Sequence, residues 1–306
     1  EKIKDEYADL QEKIAHYKEI LADEELQRKI VKDELLDVKE QYGDERRTEI
    51  TYAEGEISIE DMIPNEEVVV TISHLGYIKR TKVSEYRTQG RGGRGSRGSK
   101  TRKKDFIEHL FVANNHNYLL LFTEQGQCFW LRVFEIPEAS KTASGRVIQN
   151  IINIPKDDKV KAYVLIKDLE DEEFINNHYI LFATSRGIVK KTLVEAYSRP
   201  RSNGINAITI KENDYLIEAR LTDGNQQVFL ANRNGRAIRF HEEDVRPMGR
   251  TAAGVIGIRL DDEEDAVVGM LCVDPGEADE IGVLTITEKG NGKRSAVDEY
   301  RLIGRG

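Results

Sequence analysis

A short turn sequence occurs five times in this chain, each time directly after an apolar run. It begins with Ser, Thr or Asn and has glycine at its fourth position. The five glycines lie 50, 61, 48 and 55 residues apart. Because glycine readily takes the positive φ of a tight turn, each occurrence predicts a β-hairpin. The turns are 73–76 (SHLG), 123–126 (TEQG), 184–187 (TSRG), 232–235 (NRNG) and 287–290 (TEKG).

The residues around each turn repeat as well. The apolar runs that precede the turns predict strands at 68–72, 118–123, 179–184, 227–231 and 281–286. Ten residues after each turn glycine stands a large apolar residue, namely Tyr86, Ile136, Tyr197, Val245 or Tyr300. A loop glycine follows in four repeats (Gly95, Gly145, Gly204, Gly254) and leads into further strands such as 205–210 and 255–260. Repeats of about 50 residues with several strands predict the blades of a propeller. A repetitive β-sandwich is the alternative.

The first 43 residues have a different, helical period. Apolar residues alternate spacings of four and three, which is typical of a coiled-coil seam: Ile3, Tyr7, Leu10, Ile14, Tyr17 and Leu21. Asp23 is a suitable N-cap for a second helix, and Gly43 is a suitable end for it. A lone amphipathic helix pair leaves its stripe uncovered, so we expect the end of a larger helical domain. A small self-contained helical hairpin is the alternative.

Positive charge is concentrated after the first hairpin. Residues 79–104 hold eleven Lys and Arg against one acid, Glu85, a net of 11 − 1 = +10. The chain carries −9 in total, so the other residues carry −9 − 10 = −19. Gly and Arg alternate through residues 90–98, which offer no side chain for a core. An acidic chain with one concentrated basic segment favours binding to a polyanion such as nucleic acid.

Basic residues also recur shortly after the turn glycines. If the repeats form a ring, equivalent positions lie on the same face or edge, so these residues predict a curved basic rim. They are Lys79, Arg80, Arg132, Lys190, Lys191, Arg239, Lys293 and Arg294.

Several other classes of function lack their signals. The longest apolar runs are far shorter than the roughly 18 residues of a membrane helix. Cys128 and Cys272 are the only cysteines, which fits a reducing cytoplasm. Six histidines show no metal-ligand spacing. The glycines at 90, 92 and 95 match a dinucleotide fingerprint in spacing but lack the strand before and the helix after it. No catalytic group is predicted.

The segment from Gln89 to Gly95 carries a resemblance to a known family. Its residues Gln89, Gly90, Arg91, Gly92, Gly93, Arg94 and Gly95 resemble the heptapeptide box of the DNA gyrase A C-terminal domain. Gly90 departs from the family pattern, which has a basic residue there. Residues 68–77, 138–146, 187–192 and 246–249 resemble successive blades of that domain, and 41–50 resembles the junction that leaves the coiled coil of the DNA-cleavage domain.

The resemblance implies a mainly β fold, a β-pinwheel of about five recognisable blades whose neighbours exchange strands. It divides the chain into a coiled-coil tail at 1–43, a linker at 44–64 and a DNA-wrapping domain at 65–306. The box would bind DNA, with Arg97, Lys100, Arg102, Lys103 and Lys104 adding to the basic rim. The fifth blade is expected to be cut short, since a loop glycine would fall at 309, nine residues after Tyr300 as in three other repeats.

The resemblance further implies non-sequence-specific wrapping of double-stranded DNA that supports ATP-dependent negative supercoiling. The protein partners would be the other members of a cytoplasmic, nucleoid-associated heterotetramer of two A and two B subunits. The whole assembly would be a type IIA topoisomerase, with its cleavage tyrosine and its ATP and Mg²⁺ sites outside these 306 residues. No cofactor is expected within the chain. The alternatives are a propeller scaffold for protein interactions, the C-terminal domain of the topoisomerase IV counterpart of gyrase A, and an RNA binder.

Overall fold

The computed structural model describes residues 2–44, 48, 59–86, 104–278 and 280–306. The chain separates into two compact units, Glu1–Ile57 and Ser58–Gly306. The first unit contains α1 (Lys2–Ala22) and α2 (Glu24–Tyr42). The side chain of Asp23 accepts hydrogen bonds from the backbone of Glu25 and Leu26, so the predicted cap is confirmed. Neither helix is long and apolar enough to cross a membrane, and the same holds for the third helix among the described residues.

The second unit is built from short antiparallel strands. Its strands are β1 (Glu67–Ser73), β2 (Tyr77–Lys82), β3 (Ile107–Asn114), β4 (Tyr118–Thr123), β5 (Gln127–Arg132), β6 (Arg146–Val147), β7 (Val160–Ile166), β8 (Tyr179–Thr184), β9 (Ile188–Leu193), β10 (Ile205–Asn206), β11 (Leu216–Thr222), β12 (Gln227–Asn232), β13 (Ala237–His241), β14 (Val255–Ile256), β15 (Val267–Val273), β16 (Gly282–Ile286) and β17 (Gly292–Ala296). One short helix, α3 (Glu172–Asn177), lies between β7 and β8. All five predicted apolar strands are present, whereas β10 and β14 are much shorter than the runs predicted there.

The sheets exchange strands between neighbouring repeats. Their orders are β3-β1-β2-β6, β10-β5-β4-β7, β11-β8-β9-β14, β13-β12-β15 and β16-β17. In each of the first three sheets, three strands come from one repeat and the short outer strand comes from the next. The pinwheel is therefore confirmed, including the strand exchange that the repeat spacing alone does not reveal.

The turn sequence explains each hairpin. All five turn glycines have φ between 78° and 87°, and each donates its N–H to the carbonyl of the first turn residue. The side chain of that first residue accepts a second hydrogen bond, from the backbone N–H of the residue after the glycine. Ser73 accepts from Tyr77 at 3.2 Å, and Asn232 accepts from Arg236 at 2.6 Å. A short polar side chain is needed for this bond, which accounts for Ser, Thr or Asn at that position.

The apolar cores lie between consecutive sheets. Successive residues of a strand face opposite sides, and here both sides are covered. Leu119 and Leu121 of β4 enter the core shared with the first sheet, whereas Leu120 and Phe122 enter the core shared with the third. Equivalent cores join the third sheet to the fourth and the fourth to the fifth. The first strands of the first four hairpins are therefore largely apolar on both faces, and each repeat buries its core against its neighbours.

The sheets have an inner and an outer edge. β7 packs against β11, and β11 against β15. β3, β7 and β11 together line an open cavity of about 380 Å³. These strands therefore face inward, and the exchanged strands β6, β10 and β14 lie at the outer edge.

Candidate nucleic-acid interface

Four of the eight strand cations predicted to form a basic rim are buried. The exposed fractions of Lys79, Lys190, Lys191 and Arg239 are 2%, 0%, 4% and 8%. Each lies on the second strand of a hairpin, where the following repeat covers it. A side chain without solvent access cannot contact a phosphate, so the predicted exposure of these four residues is wrong.

Two of these cations bond to backbone carbonyls, and each reaches at least one carbonyl of the next repeat. Lys79 Nζ donates to the carbonyls of Ser140 at 3.1 Å and Lys141 at 2.6 Å. Lys190 Nζ donates to those of Ala207 at 2.5 Å and Arg250 at 2.7 Å. Desolvation lowers the pKa of both lysines, that of Lys190 to about 7, where the nearby Arg250 charge acts in the same direction.

A second contact recurs four residues after the turn glycine. The side chain at this position donates to a carbonyl in the short 3₁₀ turn after the hairpin of the next repeat, or directly after that turn. These 3₁₀ turns are Val133–Glu135, Val194–Tyr197, Glu242–Asp244 and Val297–Glu299. The four contacts are Arg80 Nε to Ile136 at 2.8 Å, Trp130 Nε1 to Tyr197 at 2.9 Å, Lys191 Nζ to Glu242 at 2.9 Å, and Arg239 Nη1 to Val297 at 2.8 Å. These residues join the blades, and Trp130 shows that a neutral donor serves as well.

The remaining predicted cations have mixed surroundings. Arg132 is half-buried, stacks 4.0 Å from the ring centre of Tyr118, donates to the carbonyl of His116 at 2.8 Å and pairs with Glu60. Lys293 and Arg294 are exposed on β17. Lys104 is exposed at φ 70°.

The box itself lies outside the described residues. This applies to Gln89, Gly90, Arg91, Gly92, Gly93, Arg94 and Gly95, and to Arg97, Lys100, Arg102 and Lys103. Their assignment to DNA binding stays a prediction.

Loops at the outer edge carry cations that sequence reasoning missed. We call residues 138–146, 198–204, 246–254 and 301–306 the outer loops. Each follows the 3₁₀ turn of its repeat, and the first three lead into β6, β10 and β14. They hold eight cations, all exposed or half-buried, against one acid, Glu138. The cations are Lys141, Arg146, Arg199, Arg201, Arg246, Arg250, Arg301 and Arg305. The signal was available, because the box occupies the same place in the first repeat.

The strand ends opposite the hairpin turns carry the opposite charge. Among the described residues there, exposed acids are Glu66, Glu67, Glu85, Glu135, Asp168, Glu170, Asp171, Glu172, Glu173, Glu195, Asp223, Glu243, Asp244, Asp274, Glu277, Glu280, Asp298 and Glu299. Lys82 and Lys167 are the exposed Lys and Arg at these ends within that part of the chain. We call this surface the acidic face. Charge is thus separated between a basic outer edge and one acidic face.

Four aspartates brace the hairpin turns, and no sequence signal identified them. Each accepts a hydrogen bond from the backbone N–H of the third turn residue. Asp105 accepts from Leu75 at 3.0 Å, Asp158 from Gln125 at 3.2 Å, Asp214 from Arg186 at 2.9 Å and Asp265 from Asn234 at 3.2 Å. The hairpin turns of the first four repeats are therefore held by one recurring side-chain contact. Within the described residues, no cluster of His, Cys, Asp and Glu could hold a metal ion.

Known proteins share this repeat structure. The model of the family described as "DNA gyrase C-terminal domain, beta-propeller" matches residues 67–114, 117–163, 178–223, 226–274 and 283–306. Each matched segment begins within one residue of the first strand of a hairpin. Among solved structures, the C-terminal domain of DNA topoisomerase IV aligns with a TM-score of 0.65 and 31% identity, covering 80% of this chain and 72% of that one. The DNA gyrase A C-terminal domain aligns with a TM-score of 0.61 and 26% identity, covering 79% and 75%.

Full-length similarity is found with gyrase A proteins. DNA gyrase A of Staphylococcus epidermidis is 46% identical over 307 residues, and that of Staphylococcus aureus is 42% identical. In both cases the alignment covers 100% of this chain and 34% of the relative. The chain thus spans about a third of the length of the curated relatives it matches. With five repeats matched in register and similarity that continues through the N-terminal helices, the chain belongs to the DNA gyrase C-terminal domain family.

Proposed function

We propose that this chain binds double-stranded DNA without regard to sequence and bends it around the outer edge of the pinwheel. The observation that carries the proposal is the row of outer loops, in which eight cations face one acid. The loops occur once per repeat, so the cations are spread along a curve. The basic segment at 87–103 continues the row in sequence and supports the same function.

The energetics favour contact with the DNA backbone. Bending 20–30 base pairs by 40–90° costs on the order of 1–6 kcal/mol. Phosphate contacts spread along the bend release counterions and offset that cost, and they carry no sequence information. Beyond residue 57, α3 is the one α-helix among the described residues. With six residues it is too short to read a major groove. The acidic face repels phosphates and so favours a path along the edge.

In the complete protein, wrapping would give gyrase its ability to introduce negative supercoils. A duplex bent in a fixed direction presents a second segment of itself to the cleavage gate with one crossing sign. We propose that the chain acts within an assembly of two A and two B subunits in the cytoplasm. DNA cleavage, ATP and Mg²⁺ would be handled by parts of that assembly outside this chain.

The deciding experiment is ligation of nicked circular DNA in the presence of the purified chain. Wrapping predicts a linking-number shift of one sign that grows with protein concentration. Affinity should fall roughly 10³–10⁵-fold between 50 and 200 mM salt if about 6–10 phosphates are contacted. An unchanged linking number would contradict wrapping. Strong preference for one 20-mer over scrambled versions would contradict a backbone-only mode, and binding without any topological change would favour the scaffold alternative.

A further inference from the structure

Lys79 and Lys190 occupy the same place in two repeats, three residues after the turn glycine. Both ammonium groups are buried, and each is bonded to two backbone carbonyls. Those of Ser140, Lys141 and Arg250 belong to the next repeat, whereas that of Ala207 belongs to the same repeat as Lys190. At this place the second and fourth repeats have Phe129 and Ile238, which fill the space without a charge. The fold thus accepts an apolar residue at this position.

Burial of an ammonium group does not favour stability by itself. Removing the charge from water is costly, and a well-packed apolar side chain is often at least as stabilising. The charge of Arg250 acts on Lys190, and as a like charge it adds to the cost. Stability alone therefore does not explain why lysine, and not an apolar residue, stands at this position. The gain that lysine does bring is a fixed position for the carbonyls it binds.

Three of those four carbonyls belong to the outer loops that carry the exposed cations. Lys79 binds the carbonyls of Ser140 and Lys141 in loop 138–146, and Lys190 binds that of Arg250 in loop 246–254. Neighbouring contacts hold the same loops, since Thr81 Oγ1 donates to Ala139 at 2.9 Å and Met248 donates to the carbonyl of Lys191 at 2.8 Å. Loops 198–204 and 301–306 follow repeats with Phe129 and Ile238 and have no lysine anchor of this kind in the described structure.

We propose that Lys79 and Lys190 are positioning residues for DNA: each holds the outer loop of the next repeat so that the cations of that loop meet the phosphates of a bent duplex. The inference rests on the proposed function and adds that a residue of one repeat affects the DNA contact made by the next repeat. A buried residue of the third repeat controls a DNA contact made by the fourth.

The test is a set of coupled substitutions in the full chain. Lys190→Met removes the anchor and keeps the length of the side chain. It is combined with Arg246→Ala and Arg250→Ala, which empty its own loop of cations, and separately with Arg199→Ala and Arg201→Ala, which empty the loop without an anchor. Lys211→Met, at an exposed lysine beside a turn, removes the same charge as a control. Writhe is measured by ligation of nicked circles, affinity by fluorescence anisotropy, and folding by thermal unfolding.

Positioning predicts that Lys190→Met shifts the balance between bent and unbent complexes by roughly fivefold or more, while affinity falls much less. The shift should vanish when Arg246 and Arg250 are already alanine and persist when Arg199 and Arg201 are alanine. Equal losses in both backgrounds would overturn the inference, because general destabilisation is additive. If Lys190→Met does not fold, Lys79→Met with Lys141→Ala and Arg146→Ala provides the same test. A parent chain that imposes no writhe would instead contradict the proposed function.

Discussion

The guanidinium of Arg239 in the fourth repeat donates a hydrogen bond of 2.8 Å to the carbonyl of Val297 in the fifth. The same group binds the carbonyl of Tyr300 at 3.2 Å and the side chain of Gln227. The contact is one of four equivalent donor–carbonyl contacts that join consecutive repeats. Five basic residues predicted from the sequence to lie on the surface instead join consecutive repeats through side-chain hydrogen bonds. They are Lys79, Arg80, Lys190, Lys191 and Arg239.

Replacing Arg239 by alanine should destabilise the domain by about 1–3 kcal/mol, because it leaves buried carbonyl and amide groups without partners. Urea unfolding measures the change. Arg294 occupies the same place in the fifth repeat and is exposed. Its replacement by alanine should change stability by no more than about 0.5 kcal/mol. Equal effects of the two substitutions would show that the buried hydrogen bonds of Arg239 contribute nothing to stability.

Gly254→Ala should displace the outer loop of the fourth repeat. Gly254 has φ 102°, and a Cβ there would lie 2.5 Å from the carbonyl oxygen of Val189. We expect a loss of roughly 1–3 kcal/mol in stability together with reduced bending of DNA. Gly249→Ala in the same loop is the control, because a Cβ at Gly249 meets no atom within 4 Å. Unfolding curves measure the loss of stability, and the ligation assay measures the loss of bending. If Gly254→Ala changes neither, the close approach between residue 254 and the carbonyl of Val189 is contradicted.

Arg91→Ala with Arg94→Ala should reduce writhe much more than affinity. The two arginines flank Gly92 and Gly93, and a planar guanidinium binds phosphate oxygens in a fixed geometry. Other cations of the segment would keep the DNA bound. In the full enzyme, the double variant should lose negative supercoiling and keep relaxation of supercoils.

The matched control for the box is Lys103→Ala with Lys104→Ala. If the box contributes only charge, this pair should lower writhe to the same extent. Equal losses would remove the anchoring role of Arg91 and Arg94 and leave a generic basic segment.

Neutralising the acidic face should strengthen binding and weaken bending. Glu170, Glu172, Glu173 and Glu243, each replaced by Gln, remove four negative charges from that face. Phosphates could then lie across it, so the DNA would follow the edge less strictly. The matched control replaces Glu212, Glu263, Glu264 and Glu288, four exposed acids near the hairpin turns. Both variants should bind DNA more tightly. The DNA bend angle, measured by fluorescence energy transfer between dyes at the two DNA ends, should fall only in the first variant. The same fall in both would show that net charge alone matters.

Lys190 should make stability depend on pH in the range from neutral to alkaline. Its pKa in the folded chain is about 7, lowered from 10.5 by desolvation and by Arg250. Between these values the unfolded chain binds more protons than the folded one, so stability rises with pH, by at most about 1.4 kcal/mol per unit. The other titratable groups at the site are Tyr197 and Cys128, whose pKa values are both raised and which stay neutral in this range.

Lys190→Met should remove this dependence. The measurement is the free energy of unfolding in urea at pH 6, 7, 8 and 9 for the parent and the variant. The free energy of unfolding of the variant minus that of the parent should decrease as the pH rises above 7. A constant difference would show that the lysine keeps its charge throughout, stabilised by the carbonyls of Ala207 and Arg250.

The local structure follows from the sequence alone. The turn at 73–76 is a hairpin because Ser73 and Gly76 supply a side-chain acceptor and a positive φ within four residues. The second helix begins after Asp23 and ends before Gly43 as predicted, and the apolar run before each turn forms the first strand of its hairpin. These features depend on neighbours in the chain, so a single repeat contains the information for them.

Tertiary structure decided which cations reach the solvent. Lys190 and Arg250 are both basic residues of a repeat, and their sequence surroundings do not distinguish them. One is buried and the other lies on an outer loop, because a segment 60 residues later crosses over the first and bonds to it. The exchanged strand β14 has only two residues, which is too short to show the alternating hydrophobic pattern that would predict a strand. Burial is set by contacts between repeats, so sequence patterns within one repeat could predict the blades but not the surface they present to DNA.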